Sequence, residues 1–175
     1  LLALTVGSVC NKGTHPEDLD EGMHSPFSRI GYGPEKLIKP EVVHYGGNIK
    51  TGVKVLTGAD IQHTAFGTSF STPRISSLAA HLVHRLDGTF DPTLVKALIV
   101  HNANYPSVVD KNTSEYTRIY GFGLPSTIDE MLNNDEDEFT MVWQPDFNEG
   151  TDFQVIDFPF PNSLIDENGY FYGIV

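Results

Sequence analysis

From Arg74 to His84 the chain runs eleven residues without a carboxylate or a lysine, directly after Gly67-Thr68-Ser69-Phe70-Ser71-Thr72-Pro73. A helix that is apolar or small on nearly every side belongs in an interior, so the segment predicts a helix buried all round. Pro73 suits its first turn, where a missing N–H has no partner to lose. Gly67 lets the backbone pass close to a neighbour. Thr68 and Ser69 then sit at the helix start, where the first amide N–H groups are unpaired and the dipole end is positive. A serine oxygen in that setting has donors beside it for an oxyanion, which an acyl-transfer nucleophile requires.

The segments around it read as α/β. Leu1–Val9 is continuously apolar and β-branched, which predicts a strand buried on both faces of a parallel sheet. Asn11–Phe27 is rich in turn formers and lacks periodicity, so it is read as loop. Lys39–Tyr45 predicts a short strand ended by Gly46-Gly47-Asn48. Ile49–Leu56 alternates like a hairpin arm, and Gly58–Ala65 is expected to be the loop approaching Ser69. Asp91 is an N-cap with Pro92 at the first helical position, and Leu94, Val95, Leu98 and Ile99 form a core stripe at helical spacing. Asn102–Tyr120 reads as loop with a polar middle.

Charge marks a boundary. Residues 1–120 balance acidic against basic side chains, whereas residues 121–175 hold 12 acidic ones and no Lys, Arg or His, which accounts for the net charge of −12. The shift falls near Ile128–Glu138. We therefore expect a first domain over 1–128, an acidic linker over 129–138 and the start of a C-terminal β domain over 139–175. In the last segment Phe139–Trp143, Asp152–Phe158 and Gly169–Val175 are aromatic and β-branched, broken by Pro145, Pro159, Pro161 and Asn168-Gly169. Nothing is basic enough for a nucleic-acid partner, and no apolar run is long enough to span a membrane. The single cysteine, Cys10, rules out an internal disulfide and a Cys-based zinc site, and reads as a small buried hydrophobe.

Gly67-Thr68-Ser69-Phe70-Ser71-Thr72-Pro73 resembles the G-T-S-x-[small]-x-P nucleophile motif of subtilisin-like serine peptidases, the subtilases. Four further segments agree in order and spacing. Leu4–Val9 is similar to a buried strand of that family, and Ser25-Pro26-Phe27-Ser28-Arg29-Ile30-Gly31 to its A-S-F-S-x-x-G turn. Lys39-Pro40-Glu41-Val42-Val43 resembles K-P-D-[IV]-x, and Gly121-Phe122-Gly123 the late G-x-G. The likeness covers about residues 4–126. Two positions depart from it: His44-Tyr45-Gly46 stands where the family usually has A-P-G, and Ser126 where it has Asn.

The resemblance implies part of a subtilisin-like three-layer α/β fold with a parallel sheet, followed by an all-β segment. It implies an endopeptidase in which Ser69 is the catalytic nucleophile and the Ser69 N–H one oxyanion donor. Phe27, His63, Phe66, Gly67, Thr68 and Phe70 are its substrate-cleft candidates, with Phe27 and Phe70 toward the leaving group. Phe27 is also readable as core cover. In the family the orienting Asp, the His base and the oxyanion Asn precede the strand that Leu4–Val9 resembles. They are expected upstream of Leu1, with this chain an excised piece that is inactive alone, because loss of base, orienter and one donor leaves little rate. The alternative is a catalytically dead subtilase-fold module for binding or assembly.

Other chemistry reads more blandly. None of His15, His24, His44, His63, His81, His84 and His101 has the H-G-T context of the family's base. His63, six residues before Ser69, is chiefly plain loop, with cleft lining and a substitute base as lesser readings. His81 and His84 lack an H-E-x-x-H pattern and are read as helix-surface or core residues rather than ligands. Asp135-Glu136-Asp137-Glu138 offers hard oxygen ligands for Ca²⁺ but lacks the alternation of a dedicated loop, so it is read as solvated linker and no cofactor is expected. The expected partner is a protein or peptide substrate. The apolar edge of Leu1–Val9 is expected to pair with another copy or with a separate chain.

Overall fold

The structure is a computed structural model that describes residues 3–12, 21–58, 61–88, 91–109, 115–132, 140–142, 149–150, 165 and 167–169. It divides into two compact units, Leu1–Ile128 and Asp129–Val175.

In the first unit, strand β1 (Val6–Val9) lies parallel to β2 (Val42–Tyr45), with Val6 opposite Val42 and Val9 opposite Tyr45. Both strands touch helix α1 (Thr68–Arg85). Strand β3 (Val53–Thr57) and β4 (Ile61–Ala65) form an antiparallel hairpin that feeds straight into α1. Helix α2 (Pro92–His101) packs on α1 and is followed by the short strand β5 (Ala103–Asn104). A one-turn helix α3 (Tyr116–Tyr120) then leads to β6 (Leu124–Pro125), antiparallel to β5. This mixture of a parallel strand pair with covering helices is α/β.

Alternation along the parallel pair sends Val9, Val43 and Tyr45 to one face and Val42 and His44 to the other. On the first face Val9 and Val43 form a buried cluster with Val109 and Tyr120, covered by Tyr105, Tyr116, Ile119 and Leu124. The Tyr120 ring meets Tyr105 edge-on at 6.4 Å, the favoured arrangement for rings with opposed quadrupoles. Its hydroxyl accepts the His24 N–H at 3.1 Å, so the layer is sealed without stranding a polar tip. On the other face His44 lies close enough to Arg74 of α1 to feel its charge.

The Lys39-Pro40-Glu41 motif does structural work at the junction of these layers. The Glu41 carboxylate accepts the Thr5 N–H at 2.7 Å, pairs with Lys39 Nζ at 2.7 Å and also pairs with Lys96 of α2. One buried carboxylate thus ties the entries of β1 and β2 to α2. Beside it the G-x-G segment closes on β2, with the Phe122 N–H on the Glu41 carbonyl at 2.8 Å and the Val43 N–H on the Gly123 carbonyl at 2.9 Å.

Several sequence expectations are met. Asp91 accepts from Thr93 N and Leu94 N as an N-cap, and Val95, Leu98 and Ile99 are buried. Cys10 is fully buried, accepting from Asn48 Nδ2 at 3.1 Å.

Others need correction. Helix α1 is not buried all round: Ser71, Ile75 and Leu82 are buried, but Ser76, Ser77, Ala80 and His81 are exposed. Absence of charge is not apolarity: Ser and Ala cost little to leave in water, and only a narrow stripe makes core contact. Pro73 lies in the second turn rather than the first, six residues into the helix. Gly58–Ala65 is not simply a loop, because Ile61–Ala65 supplies the partner strand that β3 requires. The first two strands are also shorter than expected, beginning at Val6 and Val42, and Asn102–Tyr120 contains β5 and α3.

The β1 edge is also less open than its sequence implies. Ser8 and Cys10 bond to the chain's own turn, through Ser25 N–H to Ser8 O at 3.0 Å, Cys10 N–H to Met23 O at 2.7 Å and Gly22 N–H to Cys10 O at 3.0 Å. In the second unit Thr140–Val142 is irregular, with Thr140 Oγ1 donating to the Met131 carbonyl at 3.1 Å. The acidic cluster 135–138, His15 and nearly all of the expected β segment lie outside the described residues.

Candidate active site

Ser69 is exposed as the second residue of an 18-residue helix. Its N–H therefore has no intrahelical acceptor, and the first turn carries no acidic residue to neutralise the positive dipole end. The turn into the helix depends on Gly67, whose φ of 150° and ψ of 160° are open to glycine and strained for other residues. An added Cβ there would meet nothing nearer than Ser69 N at 3.8 Å, so the requirement is conformational rather than spatial. Within the first turn the Phe70 N–H bonds to the Gly67 carbonyl at 3.0 Å, and buried Ser71 donates to the Thr68 carbonyl at 3.1 Å.

Pro73 acts on the same residue from the other side. Its absent N–H is the one that would pair with the carbonyl four residues back, which is that of Ser69. The Ser69 carbonyl accordingly lacks that ladder partner.

The turn is anchored by a long-range backbone bond, Gly67 N–H to the Gly46 carbonyl at 3.0 Å. Gly46 and Gly47 are both seated on the Val9 carbonyl at 3.1 Å. A side chain at Gly46 would strike Ser8 Oγ and lie 2.6 Å from the Gly67 carbonyl, so the approach of β2 to the turn before Ser69 demands glycine here. Below it two fully buried hydroxyls, Ser8 Oγ and Ser25 Oγ, lie 2.9 Å apart, and Ser25 Oγ donates to the Gly47 carbonyl at 2.8 Å. Sequence reasoning passed over these supports. The available signal was a polar residue, Ser8, inside an otherwise buried strand.

Among the cleft candidates, Phe27 and Phe66 are brought together, with ring centroids 5.6 Å apart and planes inclined by 32°. Both rings are exposed, and Phe66 stands three residues before Ser69. Phe70 is half-buried. Thr68 borders a cleft of about 350 Å³ that Val6, Gly7, Arg29 and Tyr32 also line. His63 is exposed on β4 opposite Val55, and no hydrogen bond joins it to Ser69.

The other described histidines, His24, His44, His81, His84 and His101, likewise make no hydrogen bond with Ser69. At His44, burial, aided by the Arg74 charge, lowers the pKa to about 4, so it is neutral at pH 7. Its Nδ1 accepts the Tyr45 N–H at 2.8 Å, which leaves that nitrogen engaged. Among the described residues there is no cluster of His, Cys, Asp and Glu fit to hold a metal ion, and no helix long and apolar enough to cross a membrane.

Comparison with known families agrees with this geometry. A model described as the subtilase family matches residues 2–123, a span that contains β1, the Ser25–Gly31 turn, the Lys39-Pro40-Glu41 junction, the Ser69 turn and the Gly121–Gly123 segment. A search of curated proteins finds no match. With most of its length accounted for by that family, the chain belongs to the subtilases, a family of serine peptidases.

Proposed function

We propose that this chain carries the nucleophile of a serine endopeptidase, and that Ser69 opens peptide bonds through an acyl-enzyme. The carrying observation is an exposed serine at the second position of a long helix, its N–H open and its turn fixed by Gly67 on Gly46. Ser69 Oγ attacks the scissile carbonyl carbon while its proton passes to a base, and the Ser69 N–H stabilises the oxyanion so formed. Collapse expels the amine, which takes the proton, and water then cleaves the ester.

In this reading a His base, its orienting Asp and a second oxyanion donor complete the site, and no described histidine is hydrogen-bonded to Ser69. On the same reading Phe27 lies toward the leaving-group side and Phe66 borders the cleft, and their paired rings favour an apolar contact there. The test is hydrolysis of denatured casein by the full-length protein, with new amino termini identified by mass spectrometry. Cleavage that vanishes in Ser69→Ala supports the proposal. Cleavage that persists in it, or its absence from the folded wild type, contradicts the proposal and leaves a binding or assembly module on a subtilase fold.

A further inference from the structure

We infer that Ser25, with Ser8 behind it, is a positioning residue for Ser69, an inference that rests on the nucleophile assignment above. A hydroxyl has one proton to give. Ser25 Oγ spends its proton on the Gly47 carbonyl at 2.8 Å, so the 2.9 Å contact with Ser8 must be Ser8 Oγ–H donating to Ser25 Oγ. The relay therefore has one direction, from Ser8 through Ser25 to Gly47.

That relay ends on the peptide next to the one that holds the nucleophile turn. Gly46 and Gly47 share the Val9 carbonyl through their N–H groups, which fixes one side of the dipeptide. Ser25 fixes the Gly47 carbonyl, leaving the Gly46 carbonyl directed at the Gly67 N–H. Gly67 has no side chain, so its extended positive-φ geometry is held through this backbone contact and the Phe70 bond that follows it. Both serines are fully buried, so each bond is stronger than on a surface. Without the Ser25 hydroxyl, the Gly47 carbonyl loses its partner and the Gly46–Gly47 seat rotates to regain one, carrying the Gly46 carbonyl off the Gly67 N–H. Ser69 then presents its Oγ and N–H displaced from each other's working positions.

The experiment follows fluorophosphonate labelling of Ser69 in the full-length protein, measuring the maximal labelling rate and the half-saturating probe concentration separately. For Ser25→Ala the maximal rate falls about tenfold with half-saturation unchanged, a fraction of the roughly 10² that a 1 Å displacement costs. Ser8→Ala, which leaves the Ser25–Gly47 bond in place, gives a smaller loss of the same kind and decides the matter if Ser25→Ala does not fold. Asp91→Ala weakens an N-cap remote from the relay and serves as the stability control, its labelling rate unchanged. Wild-type rates in the folded Ser25→Ala or Ser8→Ala protein, or a rise in half-saturation with the maximal rate intact, overturn the inference while leaving Ser69 as nucleophile. A folded wild type that does not label at Ser69 removes the nucleophile assignment itself and this inference with it.

Discussion

Replacing Glu41 by Gln isolates the charge at the junction of β1, β2 and α2 while keeping the side chain's shape. Burial of a carboxylate by itself raises its pKa, and at Glu41 that is the largest single influence; the Lys39 and Lys96 ammonium groups and the Thr5 N–H together outweigh it. The result is a pKa lowered from 4.5 to about 2. At about 1.36 kcal/mol per unit, the folded state favours the ionised form by roughly 3 kcal/mol relative to the unfolded chain. The side chain is only 8% exposed, so solvent screening removes little of this. Because the folded pKa is depressed, the stabilisation is fully present above the unfolded value of 4.5 and drains away as pH falls from there toward 2. By pH 3 roughly 2 kcal/mol of it is gone. Glu41→Gln removes the titration and leaves two ammonium groups without their shared carboxylate, a loss of several kcal/mol at pH 7. Urea unfolding of both proteins at pH 7 and pH 3 reads the outcome. The gap between them narrows by roughly 2 kcal/mol at the lower pH, since every other carboxylate titrates in both. An equal gap at the two pH values refutes the assignment of Glu41 as a carboxylate held ionised by its partners.

Gly67→Ala tests conformation without crowding, because its Cβ has open space; backbone strain costs about 1–3 kcal/mol in urea unfolding, and labelling of Ser69 falls even where the protein stays folded. An unchanged labelling rate means that the turn tolerates an ordinary residue. Asp91→Ala removes the acceptor for Thr93 N and Leu94 N and lowers stability by about 1 kcal/mol, and no change in the unfolding midpoint means that the cap is idle. Pro73→Ala restores an N–H to the Ser69 carbonyl in an exposed stretch of α1, so thermal unfolding moves upward by the equivalent of about 1 kcal/mol or more. A downward move shows that the proline ring contributes packing that the missing bond does not reveal.

Local rules carried much of the first unit from the residues alone. The Asp91-Pro92 cap, the Val95–Ile99 stripe and the start of α1 at Thr68 each depend on chemistry confined to one turn of chain, which a sequence displays directly. What stayed hidden depended on partners far away in sequence. The exposure of α1 turns on which of its faces meets β1 and β2, and Ser and Ala say little about that. Strand β4 was hidden because Ile61–Ala65 is a strand only through pairing with β3. The covering of β1 by Met23 and Ser25 is a backbone event with no compositional mark. At the candidate site, the exposed helix start at Ser69 and the turn at Gly67 were legible from their motif, whereas the Ser8–Ser25–Gly47 relay joins three segments through backbone and small hydroxyls, and only their meeting makes it visible.

The most direct measurement is mass spectrometry of the full-length protein after treatment with a fluorophosphonate, with Ser69→Ala alongside. The account predicts one adduct, on Ser69, absent from the variant. A folded wild-type protein that carries no adduct, or one that carries it on another serine with Ser69 unmodified, contradicts the claim that this helix start holds an activated nucleophile.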